Sequence, residues 1–455
     1  VAANWVFGWD TNVPWEFNCA DGKLYRSVVT PWVTSGAPFA AAKTLFGDAI
    51  SQRLGPWTPW VLLALPRVLL LALSWWMDRL LRGLFGPQML TIFRGSWVTF
   101  LLMMRPFSNT IETMLVILAW DLSRRRRPVL LGMLAAFGVF SRVTFAAFFF
   151  PLGVSALLAE DDFARKAAAK KAHVRLLRIP NALQFIAKGA VGFAVASLFH
   201  IAADTWYARA EGCVEDAIQV TPWNNLLYNL DVANLEQHGL HPRYLHAAVN
   251  MQLLFSPVWI VGILTCQRST ETRVAISVIA CALLVLSLAP HQEPRFLMPL
   301  VVPVSVVLAN TPSPSARWKN AFKVLWVVFN LAIGVFYGAV HQAGIIPALA
   351  TVSTSQDKIC CVVTYETYMT PRFLMAGGDI EVYDLGGRQP DGPLLDVLQS
   401  PKCLASCSVA LLPKTALVDF GWASSAISSA FGPHFCGERP PERAGDLELV
   451  LVPLG

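Results

Sequence analysis

Pro290-His291-Gln292-Glu293-Pro294-Arg295-Phe296 is a short polar run with two prolines, set between apolar stretches at 275–289 and 296–309. These stretches leave almost no length for a loop, so His291, Glu293 and Arg295 fall at or near a membrane–water interface. Ionisable groups at that depth are costly, and a residue kept there against the cost reads as functional. A charged pair between prolines also makes a tight turn between helices, so both readings stand for this run.

The rest of the chain supports the membrane setting. Of 455 residues, 55% are hydrophobic and 15% charged, with a mean hydropathy of +0.49. Soluble domains carry about 25% charged residues. That deficit, with 16 Trp and 27 Phe, indicates a polytopic membrane protein. The net charge of +6 then reports loop orientation. No basic stripe interleaved with aromatics occurs, so a nucleic-acid partner is set aside.

Ten apolar segments are read, at 57–77, 89–104, 108–122, 128–140, 143–158, 183–202, 249–265, 274–289, 295–309 and 322–341. Several fall short of the ~20 residues of a full span. Ser141-Arg142 splits the pair within 128–158, which reads either as one long helix or as two short ones. Lys and Arg concentrate in alternate loops: Arg79 and Arg82, Arg124 to Arg127, the run from Arg165 to Arg178, Arg268 and Arg273, and Arg317 with Lys319. Positive-inside bias places these in the cytoplasm. The opposite, lumenal side then receives residues 1–55, Arg105, Arg142, the loop 203–248, the turn at 290–296 and the tail 342–455.

The expected fold is an all-α polytopic membrane bundle with a small α/β lumenal C-terminal domain. A partial first lumenal loop occupies 1–56. About ten transmembrane helices occupy 57–341, and the tail domain 342–455. In the tail, short β-type runs at 359–364, 408–412 and 447–452 are separated by turn signals at Gly377-Gly378 and Gly386-Gly387. Five of the nine cysteines lie late, at 360, 361, 403, 407 and 436. Their spacing lacks the paired knuckles of a zinc site. One or two disulfides in an oxidising lumen and unpaired buried thiols are both open readings. The chain opens on a polar-aromatic segment that is not a signal peptide, and upstream sequence is expected to be missing.

The unusual polar residues gather on the expected lumenal face. Glu16, in Trp15-Glu16-Phe17 before Arg26-Ser27, is either a carboxylate that orients a polar group or an exposed acid beside interfacial aromatics. Arg105 ends one segment, and Ser108-Asn109 with Glu112 open the next as a capping box, on a face that can also line a site. The long loop interleaves aromatics with amides, as an amphipathic segment on a membrane surface does. It contains Asn224 and Asn225, then His238, His241, Arg243 and His246. His241 and His246 invite a zinc reading, but zinc histidines favour H-E-x-x-H on one helix, and Pro242 interrupts this run; no metal is expected. In the turn, Arg295 offers a planar fork suited to phosphate, His291 a donor, and Glu293 a clamp for either. A rim of Arg, His, Asn and Trp over a bundle open to lipid suits a lipid-phosphate substrate.

At these residues the sequence resembles the dolichyl-phosphate-mannose-dependent α-mannosyltransferases of the ER lumen, a family with the GT-C fold. His291-Gln-Glu-Pro-Arg-Phe296 is similar to its His-x-Glu-x-Arg-Phe signature. Gln292 and Pro294, the run 221–229, the run 238–246 and Tyr365-x-x-Tyr368-Met-x-Pro371-Arg372 resemble the branch that adds the fourth, side-branch mannose of the GPI glycan. The resemblance implies an inverting α-1,2 transfer from dolichyl-phosphate mannose to a GPI glycolipid precursor, in a multi-pass ER membrane protein with a lumenal site and no cofactor. His291, Glu293, Arg295 and Arg105 would serve the donor phosphate. Glu16, Asn224, Asn225, His238, His241, Arg243 and His246 would serve the acceptor. The family's acidic motif in its first lumenal loop has no counterpart here, so the catalytic base is expected upstream of Val1. Alternatives are a sister enzyme for the third GPI mannose or an N-glycan mannose, and a non-catalytic or lipid-transport ER membrane protein.

Overall fold

The protein is described here from a computed structural model. The described residues are all of 1–455 except 10, 12, 20, 48–49, 169–178, 214–216, 237–238, 313–314, 356–358, 369, 376–379, 386–402, 404–406, 438–439, 442 and 455. The chain is mostly helical, with a five-stranded sheet near its C-terminal end. It divides into two compact units. One comprises 1–12, 35–67 and 331–455, the other 13–34 and 68–330.

Three helical stretches are long and apolar enough to cross a membrane: Gly55–Phe85, Asn181–Ala210 and Ala316–Val340. His246–Phe255 and Val258–Thr265 make a fourth if counted as one span bent by 99°. Their outward faces are apolar: Leu198 and Phe199 are exposed on the second stretch, and Val327, Val328 and Leu331 on the third. Such bare apolar surface is stable only against lipid or protein.

The ten segments expected from sequence all fall on helical chain, and those at 89–104, 249–265 and 295–309 are divided among successive elements. Arg142 is extended (φ −157°, ψ 128°) and separates Pro128–Ser141 from Phe145–Ala168, so 128–158 forms two helices. Ser256 adopts φ +58° ahead of Pro257, where the bent pair turns. After the second proline of the polar run, Pro294–Leu300 winds as a tight 3₁₀ helix before Val301–Ala309. Sequence reading also treated 1–55 as loop, whereas Ala37–Phe46 is helical. Pro38 lies in its first turn, where a missing N–H costs nothing, and alanines fill its centre.

In the unit of 13–34 and 68–330, Pro128–Ser141 and Ile179–Ala210 meet backbone to backbone. A Cβ on Gly132 would lie 1.9 Å from Gly189 O, and one on Gly192 2.0 Å from Val129 O. Small residues allow such close helix contacts in membranes.

In the other unit, the sheet runs β2–β1–β3–β5–β4, with β1 Cys361–Thr364, β2 Glu381–Asp384, β3 Ser408–Pro413, β4 Ser429–Phe431 and β5 Leu449–Pro453. β1 pairs in parallel with β2 and β3, and β5 is antiparallel to β3 and β4. Alternate residues serve two cores. Val362, Val409, Leu411, Leu449 and Leu451 pack against Ile345, Leu349 and Val352 of helix Ile345–Thr354. Cys361, Val363, Ala410, Leu412, Val450 and Val452 face the other side. The three runs read from sequence overlap β1, β3 and β5; both Gly-Gly turn signals lie outside the described residues. Pairing Cys361 with Ser408 sets Cys360 beside Cys407. Disulfides join Cys360 to Cys407 and Cys361 to Cys403, while Cys436 is buried and outside any disulfide.

Candidate active site

The polar run at 290–296 forms a clamp around one carboxylate. Glu293 Oε1 is 3.0 Å from His291 Nε2 and accepts from Arg295 Nη2 at 2.9 Å, and Oε2 pairs with Arg295 Nε. Burial acts to raise the Glu293 pKa. The hydrogen bonds and charge of His291 and Arg295 overcome it and hold the group down at about 2. The reciprocal bond from Glu293 raises the His291 pKa against burial, helped by the Gly239 carbonyl 3.1 Å from Nδ1. His291 is therefore a positively biased group whose two ring nitrogens already have partners.

Gln292, between these residues, is buried at 1% exposure and ties the run to the long loop. Its Oε1 accepts from His246 N at 2.9 Å, and its Nε2 donates to Arg243 O and Ala289 O, each at 3.3 Å. Its backbone N donates to His241 Nδ1 at 3.3 Å. The 241–246 run is thereby stitched to the turn. His241 and His291 have ring centroids 5.8 Å apart, and His246 lies 6.4 Å from Phe296. Arg243 turns its guanidinium to Leu288 O.

The segment 13–34 is anchored by the end of helix Ile179–Ala210 and the chain beyond it. Cys19 is disulfide-bonded to Cys213. Leu24 N donates to Gln219 Oε1 at 3.0 Å, and Leu24 O accepts from Asn224 Nδ2 at 2.9 Å. Buried Asp204 accepts from Ser27 Oγ, Val28 N and Thr221 Oγ1, each at 2.9 Å. Trp15 stacks on Tyr228 at 4.4 Å. These ties hold Arg26, which lies 3.5 Å from Glu16 and donates to Ser108 Oγ at 3.1 Å.

Ser108 is where the separate sequence groups meet. Arg142 Nη1 donates to the same Ser108 Oγ at 3.1 Å. Arg142 also lies 3.5 Å from Glu112 and 4.9 Å over the Phe296 ring, while Arg295 lies 6.0 Å over Phe107. Glu112 is fully buried and accepts from Thr144 Oγ1 at 2.7 Å and Asn109 Nδ2 at 3.2 Å. A cavity of about 30 Å³, room for about one water, is lined by Tyr25, Arg26, Ser141, Arg142, Thr144 and Asn225. Three guanidinium groups thus converge, each with its own carboxylate: Arg26 with Glu16, Arg142 with Glu112, Arg295 with Glu293. Charge-assisted donors placed this way suit an anionic oxygen such as a phosphate's.

Of the residues singled out from sequence, His291, Glu293, Arg295, His241 and His246 are brought together at the turn, and Glu16 and Asn225 at the Arg26–Arg142 side. The Asn224 side chain is committed to fixing Leu24. The Arg105 carbonyl accepts from Thr110 Oγ1 at 2.8 Å. His238 lies outside the described residues. Arg26, Arg142 and Gln292 were not assigned a role in the site by sequence reasoning, and Glu112 only as part of a capping box on a face that can also line a site; a lone arginine splitting the apolar run 128–158 was the available signal for Arg142. Among the described residues, no group of three or more His, Cys, Asp or Glu is arranged to hold a metal ion.

Comparison with known proteins gives the family. Residues 1–375 match the Alg9-like mannosyltransferase family. The chain is 29% identical to GPI mannosyltransferase 4 of Aspergillus oryzae, over 95% of this chain and 86% of that protein. It is 31% identical to GPI alpha-1,2-mannosyltransferase 4 of Homo sapiens, over 90% and 77%. It is 33% identical to GPI mannosyltransferase 4 of Saccharomyces cerevisiae, over 64% and 54%. No solved structure matches. The chain belongs to the Alg9-like mannosyltransferase family.

Proposed function

We propose that this member of the Alg9-like mannosyltransferase family transfers mannose to a GPI-anchor precursor, adding the fourth mannose in α-1,2 linkage with inversion. The donor is dolichyl-phosphate mannose, and the site lies on the lumenal face of the ER membrane. The names of the relatives support the acceptor and the step. The carrying observation in the structure is the convergence of Arg26, Arg142 and Arg295 beside the 241–246 run that Gln292 ties to the turn. In this reading, the donor phosphate lies against Arg295 and Arg142 with Glu293 and His291 fixing their direction, and Arg105 flanks it. As the glycosidic bond breaks, negative charge grows on that phosphate, and preorganised guanidinium donors stabilise it. Glu16, Asn225, His241, Arg243 and His246, with Asn224 fixing the loop, shape the acceptor side, and His238 is assigned to that side from the sequence alone. Glu16, Glu112 and Glu293 are each engaged by an arginine, so none is assigned as the base that takes the acceptor proton.

Expression in cells lacking the fourth GPI mannosyltransferase tests the reading. Mass spectrometry of GPI intermediates should show three-mannose species converted to four-mannose species. Protein present in the ER without that conversion would overturn it.

A further inference from the structure

Phe296 ends the polar turn and has no polar side-chain atom to offer a substrate, yet its half-buried ring meets three separate parts of the site. The Arg142 guanidinium lies 4.9 Å over it. His291 of the turn meets it edge-on at 5.7 Å, and His246 of the 241–246 run lies 6.4 Å away. The placement has a local cause. Glu293 is extended, and Pro294–Leu300 then winds as a 3₁₀ helix in which Phe296 N donates to Glu293 O at 3.1 Å. Successive side chains turn by about 120° in such a helix. Arg295 therefore reaches Phe107 while Phe296 reaches Arg142. On the far side of that contact, the Arg142 side chain is 6% exposed and shares Ser108 Oγ with a second cation, Arg26. Its carboxylate partner Glu112 stands off at 3.5 Å and also accepts from Thr144 and Asn109.

We propose that Phe296 is a positioning residue for the transfer: the electron-rich face of its ring keeps the Arg142 guanidinium directed at the donor phosphate, beside a like-charged neighbour. This rests on the reading that Arg142 and Arg295 receive that phosphate. A cation–ring contact is strongest where the cation is desolvated, as here, and a phenyl ring has no oxygen to compete with the phosphate for the guanidinium donors. In the transfer, the acceptor oxygen bonds to mannose C1 and yields its proton to a general base, while the electron pair of the broken C1–O bond stays on the phosphate. That group gains negative charge as it leaves, so an arginine held in place stabilises the transition state more than the bound donor. The ring should accordingly act on kcat more than on KM.

The test is a double-mutant cycle on the full chain in detergent, with dolichyl-phosphate mannose and a three-mannose GPI precursor as substrates. Phe296→Leu keeps the apolar bulk and removes the ring. It should lower kcat by about 10- to 30-fold, the loss expected of a desolvated cation–ring contact, with a smaller change in KM for the donor. Phe296→Tyr, which keeps a ring, should restore most of the rate. In an Arg142→Gln background, Phe296→Leu should cost nothing further, because the ring acts through that arginine. Losses that multiply would overturn the proposal, since a packing role is independent of Arg142; so would an unchanged kcat in Phe296→Leu. Retention of dolichyl phosphate, measured by native mass spectrometry on the same four proteins, repeats the cycle without turnover, because this product carries the charge of the departed group. Wild type that retains dolichyl phosphate but converts no precursor would overturn the assigned step, while the binding cycle still decides the part of the ring. Wild type that retains none would overturn both.

Discussion

At the residue scale, the decisive group is Glu293, which two cations hold ionised. Its pKa is depressed, so its contribution is present above the ordinary carboxylate value of 4.5 and is lost only as pH falls toward about 2. The His291 pKa is raised, so its charged form contributes fully below the ordinary 6.5 and is lost as pH rises through the higher folded value. The trio is therefore complete between about pH 4.5 and 6.5. Glu293→Gln should shift the alkaline limb of the transfer–pH profile to lower pH and reduce transfer by about 10- to 100-fold, from loss of a charged hydrogen-bond partner. An unchanged limb would show that His291 does not depend on Glu293. Gln292→Ala leaves the His246 N–H without its partner and should lower stability by about 1–3 kcal/mol, read as a drop in Tm in detergent. The turn was legible in sequence because charge inside an apolar run is rare. Gln292 and Arg142 were not, because their meaning resides in partners such as Ser108, 34 residues from Arg142, and His241, 51 residues from Gln292.

At the element scale, the glycine seam makes a sharp contrast. Gly132→Ala and Gly192→Ala should each abolish the monodisperse size-exclusion peak, because backbone atoms occupy the position of the new Cβ. Gly189→Ala should be tolerated, since its Cβ would meet nothing closer than Pro128 O at 3.6 Å. Helix existence was readable from apolar runs, and β1, β3 and β5 from their β-type composition. β2 and β4, of four and three residues, are too short to show a period. Helix lengths were only partly readable: Ser141-Arg142 marked a candidate break that the extended Arg142 makes, whereas the break at Ser256 depends on a backbone angle that composition does not specify.

At the scale of the whole molecule, three disulfides and an alternating basic pattern bear on orientation. Bonds such as Cys360–Cys407 persist in oxidising compartments. After reduction, a membrane-impermeant maleimide should label these cysteines in microsomes only once the vesicles are opened; labelling of sealed vesicles would reverse the proposed lumenal placement. Replacing Cys19 and Cys213 by Ser removes a cross-link 194 residues long, worth about 5 kcal/mol in the chain-entropy view. It should lower the temperature at which the protein aggregates. The same cross-link, with the Leu24–Gln219 bond across 195 residues, also sets a timetable for biogenesis. At roughly 5–20 residues per second, about 10 to 40 s separate synthesis of the Arg26 segment from that of its anchors. Through that interval the segment lacks Asp204, Cys213, Gln219 and Asn224, the anchors that later hold it. The arginine is thus among the earliest parts of the site to be made and among the last to be locked.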